Sequence, residues 1–404
     1  ENKMDIAQIT DTIGAIGGRL IRADFKGLTR LMKINTLFDA DKIVWNFSHM
    51  DQLAETQVLK CASPAPMMLP HKPRDLIESY TFQSKVTALS DYKTDRNVTA
   101  FLVIKDGEIA QEEYLNGTDE NDFRVSWSMA KSVVSLLLGA LIDKGLIPMS
   151  ALDDKIVDHV PILRGSGYDG PTLRNILQMS SGVAFNEDYL DYHSDINRMG
   201  RLLAIGGSMD EFAGSLGKRW DPGTYMHYVS VDTHVIGMVI RAITDVKINT
   251  LTIEHIFAPL GFEHDPVFIT DSFDEPFILG GLNMTTRDYA RIGLMVLNKG
   301  MVGDTRVVSE EWLQTSMAKS APPPSPEKVA TPEGWMGYGM QWWIPGDAIG
   351  GEVYGIGIYG QYLYLNPKHN VVIAQNGGDV DFKVGNGIIE QECLALFRQI
   401  AENL

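Results

Sequence analysis

The strongest apolar stretch of the chain runs from Ser132 to Ile142 and would be hydrophobic on nearly every side of a helix. A helix with this pattern is normally buried inside a large protein. Asp143 and Lys144 end the stretch, and Gly145 stands where a left-handed residue commonly closes a helix. The pattern predicts a buried helix that ends just before Gly145.

Shorter stretches predict strands towards both ends of the sequence. Residues 99–104 and 108–114 flank Lys105-Asp106-Gly107, and an Asp-Gly pair between two such stretches indicates a hairpin. Three later stretches also predict strands, namely Tyr338–Ile344, Gln361–Leu365 and Val371–Ala374.

Helical patterns dominate the sequence between these strands. Residues 171–179 predict a helix, and Thr285 with Asp288 resembles a capping box for another helix through Leu297. A last helix is predicted over Ile388–Leu404. Strands at both ends with helices between them predict an α/β (α+β) fold, in which helices flank an antiparallel sheet and a helical lobe is inserted.

The predicted boundaries divide the chain into an N-terminal extension packed on the core, an α/β lobe, and a mainly helical lobe that carries the apolar helix. These parts cover residues 1–95, residues 96–127 with 283–404, and residues 128–282. Within the extension, Ile6–Leu20 could form a helix, although its glycines weaken that prediction. Four prolines between Pro64 and Pro73 predict a loop over the surface.

The composition is that of an ordinary globular protein, with 44% hydrophobic and 22% charged residues. The net charge of −17 argues against nucleic acid or an anionic membrane as a partner, because both attract basic surfaces. The apolar stretch is shorter than the roughly 18 residues expected of a membrane span. A small-molecule substrate is the expected partner, and the oligomeric state is left open.

The N-terminus offers neither an initiator Met nor an apolar signal core, so either a leader was removed or the chain was trimmed. Periplasmic, exported and cytoplasmic locations therefore all stay open. The two cysteines, Cys61 and Cys393, could pair in an oxidising compartment, although two free thiols are favoured. Their spacing fits no zinc site, and neither a metal nor another cofactor is expected.

Ser128-Met129-Ala130-Lys131 opens the apolar helix and forms an S-x-x-K tetrad. Residues three apart on a helix have Cβ atoms roughly 5–6 Å apart, so Lys131 could reach the Ser128 hydroxyl. That hydroxyl becomes a good nucleophile only when a base takes its proton, and burial can lower a lysine pKa enough for this role. An isolated tetrad is more often an N-cap serine and a surface lysine, but a lysine at the start of a buried helix needs a partner. The context favours an acylating serine hydrolase.

Three further segments follow the tetrad in a recognisable order. They are Leu177 to Gly182, Pro222-Gly223-Thr224 with Tyr228-Val229-Ser230, and Gly280 to Arg291. With the tetrad, they resemble the serine β-lactamase and penicillin-binding-protein superfamily in its class C-like branch, which includes carboxylesterases. Asn46 to Asp51 and Asn186 to Tyr189 look closest to the 6-aminohexanoate-dimer hydrolases of that branch. The resemblance covers most of the chain and implies a β-lactamase/transpeptidase-like fold.

The resemblance also implies roles for individual residues. Ser128 would be the nucleophile and Lys131 its partner. Tyr228 would take the serine proton, as phenolate or through Lys131, and later protonate the leaving group. The backbone N–H groups of Ser128 and Ile358 would form the oxyanion hole. The candidate substrate-binding residues are Tyr189, Ser230, Trp342, Trp343 and Gly357, although the aromatic ones could equally be plain core residues.

Two departures from the relatives that hydrolyse β-lactams bear on the substrate. Ser230 stands where those relatives usually have Asn, and Tyr354 to Gly360 replaces their Lys-Thr-Gly motif. The missing lysine helps to hold a substrate carboxylate by a charge-assisted contact. Small esters or linear amides are therefore the expected substrates. A β-lactamase, a D-amino-acid peptidase, and a catalytically silent binding protein on this fold remain alternatives.

Other catalytic motifs receive little support. Gly355 to Gly360 spells G-x-G-x-x-G, but a strand-like segment ended by Pro367 follows it, instead of the helix that a dinucleotide fingerprint requires. An edge strand lining the active site explains these glycines better. The chain has no G-x-S-x-G or H-E-x-x-H motif. His227 could be an alternative base, although a core or supporting position is favoured.

Overall fold

The computed structural model describes residues 25–404 of the chain. Its α-helices are α1 Phe25–Ile34, α2 Ile43–Ser48, α3 Leu89–Asp95, α4 Ala130–Asp143, α5 Ile156–His159, α6 Leu173–Leu177, α7 Asp195–Ala204, α8 Met209–Ser215, α9 Ser230–Thr244, α10 Ile248–Thr252, α11 Ala258–Leu260, α12 Thr286–Leu297, α13 Glu310–Ser316, α14 Pro332–Trp335 and α15 Ile388–Asn403. Short 3₁₀ turns cover Met50–Gln52, Trp127–Met129, Met149–Asp153, Pro161–Leu163 and Pro326–Lys328, and a π-helical turn covers Ile253–Phe257.

The strands are β1 Thr56–Val58, β2 Ser79–Phe82, β3 Lys85–Ala88, β4 Val98–Lys105, β5 Glu108–Tyr114, β6 Arg124–Val125, β7 Val267–Ile269, β8 Leu282–Met284, β9 Met301–Val302, β10 Thr305–Arg306, β11 Met336–Tyr338, β12 Trp343–Pro345, β13 Val353–Gly357, β14 Gln361–Asn366 and β15 Val371–Gly377. A seven-stranded antiparallel sheet has the order β11-β12-β13-β14-β15-β4-β5, and a smaller sheet has the order β1-β7-β8-β6. The N-terminal hairpin β4–β5 therefore completes a sheet whose other strands come from the last 70 residues or so of the chain.

Alternate side chains of the large sheet enter two different hydrophobic cores. Along β4, Leu102 and Ile104 belong to one core, whereas Phe101 and Val103 belong to the other. Helix α12 packs on the first face and α15 contributes to the core on the second. Because both faces of β4 are covered, nearly every position of this strand must be apolar, which explains its unbroken hydrophobic sequence.

The apolar stretch forms the buried helix that its pattern predicts. All residues of α4 from Ala130 to Leu141 are buried, and Gly145 has a φ of +71° just beyond the helix end. Helix α12 has the predicted cap, because the Thr285 side chain accepts a hydrogen bond from the Asp288 N–H. The α/β architecture of an antiparallel sheet flanked by helices is confirmed.

The strand predicted at Tyr338–Ile344 is interrupted, and this prediction was wrong in its middle. Strands β11 and β12 pair with each other across a turn in which Gln341 has a φ of +68°. The Gln341 amide donates to Leu177 O at 3.0 Å and accepts from the Thr233 hydroxyl at 2.6 Å. These contacts with the helical part of the molecule hold the turn, and sequence alternation alone carries no sign of them.

Other predictions have mixed outcomes. Cys61 and Cys393 are both free thiols, as favoured. The helix predicted at Ile6–Leu20 lies outside the described residues, and the division into an extension and two lobes stays a prediction. Between residues 25 and 404, no helix has the length and apolar character needed to cross a membrane.

Candidate active site

Ser128 sits in a tight turn directly before the buried helix α4. The 3₁₀ turn Trp127–Met129 follows the short strand β6, and Trp127 has a φ of +41°. A bulky residue in the left-handed region is strained, and such strain is commonly found at functional sites. The Ser126 hydroxyl donates to Trp127 O at 2.8 Å and helps to hold this conformation. The turn leaves Ser128 partly exposed, and its side chain lines two cavities.

Lys131 lies one helical turn beyond Ser128 and is only 1% exposed. Its Nζ is 2.8 Å from Ser128 Oγ and donates to Leu279 O at 2.7 Å. Burial lowers the pKa of Lys131 to about 7, because the ammonium form loses its hydration, while the Glu187 carboxylate acts in the opposite direction. A large fraction of the amine is therefore neutral near pH 7 and can accept the proton of Ser128.

Glu187 is a site residue whose role was not predicted from the sequence. It is 8% exposed, and its carboxylate accepts hydrogen bonds from the Ser230 N–H at 3.0 Å, the Ser230 hydroxyl, and the Tyr189 hydroxyl at 2.6 Å. A buried carboxylate requires such partners. The sequence feature that could have indicated Glu187 is its position two residues before Tyr189, within the segment Asn186 to Tyr189 that resembles the 6-aminohexanoate-dimer hydrolases.

Tyr228 is held over Lys131 by aromatic neighbours. Its ring centroid lies 5.2 Å from Lys131 Nζ and 5.4 Å from the Trp343 ring, which is nearly parallel to it at 15°. Tyr338 packs edge-on against both rings, with centroids at 6.2 Å and 4.9 Å. The lysine, the tyrosine and the nucleophile of the sequence prediction are thus brought to one place.

Strand β13 passes directly beside the serine turn. A Cβ added to Gly357 would lie 2.3 Å from Ser126 O and 3.1 Å from Trp127 Cβ, so only glycine allows this approach. Ile358 is the first residue after the strand and lines both cavities together with Ser128. This arrangement accounts for glycine in a segment that otherwise has the residues of a strand.

Two cavities meet Ser128 from different sides. The larger has a volume of about 280 Å³ and extends from Ser128 towards helices α1 and α7. The smaller, of about 130 Å³, contains Tyr228, Trp343 and Gly357. Ser128, Tyr189 and Ile358 line both of them.

The remaining candidates lie in different surroundings. Ser230 lines the larger cavity, but its hydroxyl and N–H are both engaged by Glu187. Trp342 is 0% exposed and lines neither cavity, so it is a core residue in this structure. The His227 ring forms a hydrogen bond with Phe185 O at 3.0 Å and packs on Trp220, and it also lines neither cavity.

Within residues 25–404, no group of three or more His, Cys, Asp or Glu side chains is placed to hold a metal ion.

Strand β13, predicted from the sequence as an edge strand, pairs with both β12 and β14 and lies inside the large sheet. A mixed fold in which a serine turn lies beside this antiparallel sheet, with a buried lysine on the following helix, defines a class of hydrolases. The beta-lactamase family profile matches residues 82–375. The chain therefore belongs to the beta-lactamase family of hydrolases.

Three individual proteins show where the similarity is strong. The chain is 30% identical to the 6-aminohexanoate-dimer hydrolase of Paenarthrobacter ureafaciens over 340 residues. This alignment covers 82% of this chain and 84% of that protein. A structure of a proposed 6-aminohexanoate-dimer hydrolase from Bacillus anthracis has a TM-score of 0.79 at 20% identity and covers 91% of this chain and 95% of its own. A family VIII carboxylesterase structure has a TM-score of 0.57 at 16% identity and covers 77% and 95%. The two solved structures establish the fold.

The electrostatics of Lys131 lead to a measurable prediction. We expect ¹³Cε-lysine NMR to show Lys131 titrating at about pH 7. Glu187→Gln should move this pKa further down, because it removes the negative charge that favours the ammonium form. Glu120→Gln, which changes an exposed acid, serves as the control and should leave the titration in place. A Lys131 resonance that titrates near the ordinary lysine pKa would contradict this electrostatic account.

Proposed function

We propose that the protein is a serine hydrolase that cleaves small esters or linear amides through an acyl-enzyme on Ser128. The observation that carries the proposal is the 2.8 Å contact between Ser128 Oγ and Lys131 Nζ, where burial lowers the lysine pKa to about 7. A neutral amine at hydrogen-bond distance is what a serine nucleophile requires of its base.

In the acylation step, neutral Lys131 accepts the Ser128 proton while Oγ attacks the carbonyl carbon of the substrate. A bond forms from Oγ to that carbon, and the carbonyl oxygen takes the negative charge. The N–H groups of Ser128 and Ile358 are proposed as its donors, and the position of Ile358 immediately after β13 supports this assignment. The C–O or C–N bond then breaks, and the leaving group receives a proton.

Tyr228 is proposed to relay that proton. Its position over Lys131 allows the pair to act as a unit, in which lysine holds the proton and the phenol hydroxyl passes it to the leaving group. Water then attacks the acyl-enzyme with Lys131 and Tyr228 as base, which releases the acid and restores the Ser128 hydroxyl. Trp343 and Tyr338 are proposed to keep the phenol in place.

The substrate class is inferred from what the site contains and from the relatives. The chain has no Lys-Thr-Gly motif, and Ser230 is engaged by Glu187. The named activities of the relatives, a 6-aminohexanoate-dimer hydrolase and a carboxylesterase, concern linear amides and esters. Tyr189 and Gly357 are proposed to contact the substrate, because they line the cavities beside Ser128. The same role is proposed for Trp343 in the smaller cavity, whereas Ser230 is proposed to act by holding Glu187 in place.

The covalent step predicts an adduct on one serine. After incubation with a fluorophosphonate, mass spectrometry should locate the label on Ser128, and Ser128→Ala should abolish both labelling and ester hydrolysis. Ser132→Ala is the matched control, because Ser132 lies on the same helix but its hydroxyl donates to Gln341 O. In a crystal structure of the adduct, one phosphonate oxygen should lie about 2.7–3.1 Å from the nitrogens of Ser128 and Ile358. A label on another serine would refute the assignment to Ser128. A protein that takes up no label and hydrolyses no ester would refute it as well, and would be catalytically silent.

The lysine–tyrosine unit predicts a pH profile and a coupling. kcat/KM should rise as the pH increases through about 7, because Lys131 acts as a base only after it has lost its proton. Lys131→Ala and Tyr228→Phe should each lower kcat by roughly 10²–10⁴-fold, and the double variant should be little worse than the worse single one. Tyr225→Phe is the control, since Tyr225 lines neither cavity. Additive losses would show that the two residues act independently.

The absence of the Lys-Thr-Gly lysine predicts the order of substrates. Loss of one charge-assisted contact is worth about 1.5–3 kcal/mol, or roughly 10–100-fold in kcat/KM. We therefore expect p-nitrophenyl acetate and butyrate to be hydrolysed more efficiently than nitrocefin, with a 6-aminohexanoate dimer as the linear amide of the panel. Faster turnover of nitrocefin than of every ester and amide would instead make the protein a β-lactamase.

A further inference from the structure

The two cavities can be assigned to the two halves of a substrate. The leaving group must lie close to the residue that protonates it, and Tyr228 lines the smaller cavity but not the larger one. The acyl group therefore extends into the larger cavity. This assignment rests on the proposed function, in which Tyr228 relays the proton.

The larger cavity is mostly apolar, with a few polar groups among its lining residues. Leu31, Ile34, Met199, Leu203 and Phe277 are among its apolar side chains. Its charged lining residues among the described part of the chain are Arg30, Glu55 and Arg201. Arg30 and Glu55 form an ion pair with an N–O distance of 2.5 Å, so their charges compensate each other. The remaining charge is that of Arg201.

Arg201 belongs to α7 and forms no ion pair with a described residue. Its guanidinium stacks on the Tyr192 ring at 4.0 Å from the centroid, and Nη1 donates to Tyr192 O at 2.8 Å. The Nε atom of Arg201 is buried and has no hydrogen-bond partner among the described residues. Burial lowers the pKa of Arg201, and the neighbouring Arg198 acts in the same direction. A partly desolvated guanidinium without a carboxylate is the group that an anion would satisfy.

We propose that Arg201 selects acyl groups that end in a carboxylate, so that the acyl donors are half-esters or half-amides of linear dicarboxylic acids. The methylene chain would lie along the apolar wall, while the terminal carboxylate would accept hydrogen bonds from Arg201. A planar guanidinium presents several donors in one plane and suits a carboxylate better than a flexible ammonium does. An acyl chain that ends in an ammonium would instead meet a like charge in a mostly apolar cavity.

The test compares acyl groups that differ only at the far end. The monophenyl esters of adipic and suberic acid are compared with phenyl hexanoate, phenyl octanoate and phenyl 6-aminohexanoate, by measuring kcat and KM at fixed ionic strength. We expect kcat/KM for the better of the two half-esters to exceed that of its neutral equivalent by about tenfold, and the ammonium ester to be the poorest. This tenfold difference in kcat/KM corresponds to the low end of the range for a hydrogen bond to a charged group, because Arg201 is only partly buried.

Variants separate recognition from a structural role. Arg201→Gln should bring the kcat/KM of each half-ester down to that of its neutral equivalent, and Arg201→Lys should retain part of the preference. Arg198→Gln is the matched control, because Arg198 lies on the same helix, pairs with Asp195 and does not line the cavity. If Arg201→Gln fails to fold, the wild-type and Arg201→Lys comparisons still decide the question.

The outcomes distinguish this inference from the proposed function. Equal kcat/KM for charged and neutral esters, or a preference that persists in Arg201→Gln, would overturn the role of Arg201 while Ser128-dependent hydrolysis still supported the proposed function. Failure to hydrolyse any of the five esters would overturn the proposed function and this inference together.

Discussion

The site depends on keeping the amine of Lys131 out of water. Its Nζ is enclosed between Ser128 Oγ and Leu279 O, and the residue is 1% exposed. An ammonium group at such a place loses much of its hydration, so the neutral form becomes accessible near pH 7. The apolar helix α4 provides this environment, because nearly all of its surface is buried against other elements. A more exposed helix would leave Lys131 as an ordinary cation and would remove the neutral amine that we propose as the base for Ser128.

The rest of the fold places strand β13 beside the start of helix α4 and still leaves Ser128 partly exposed. Strand β13 reaches the serine turn because Gly357 has no side chain to meet Ser126 O. The turn itself holds Trp127 in a left-handed conformation, which costs on the order of 1–3 kcal/mol at such positions. The tightly packed sheet and helices around the turn offset that cost. The same rigidity keeps Ser128 within reach of Lys131 and beside Ile358.

The sequence predicted those parts of the structure that depend on local patterns. The hairpin β4–β5, the buried helix α4 and the capped helix α12 follow from hydrophobic order, an Asp-Gly turn and a Thr–Asp cap. The role of Glu187 could not be read in this way, because its partners Tyr189 and Ser230 meet it through tertiary packing. The break at Gln341 depends on contacts with distant helices in the same way, and the full burial of the neighbouring Trp342 is not indicated by a local pattern either.

The charge of the whole chain and the charge of the site act over different distances. A net charge of −17 would disfavour the approach of an anionic substrate, but exposed charges are screened beyond about 8 Å at physiological ionic strength. Inside the larger cavity, the Arg30–Glu55 pair is internally compensated, and Arg201 is the remaining charge among the described lining residues. On the Tyr228 side, Glu187 lies in the lining of the smaller cavity and favours the ammonium form of Lys131. The lining of the smaller cavity also contains Lys328, Lys383 and Glu390, so positive and negative side chains occur together on that side of Ser128. The two cavities therefore have a local distribution of charge that the net charge of the protein does not reveal.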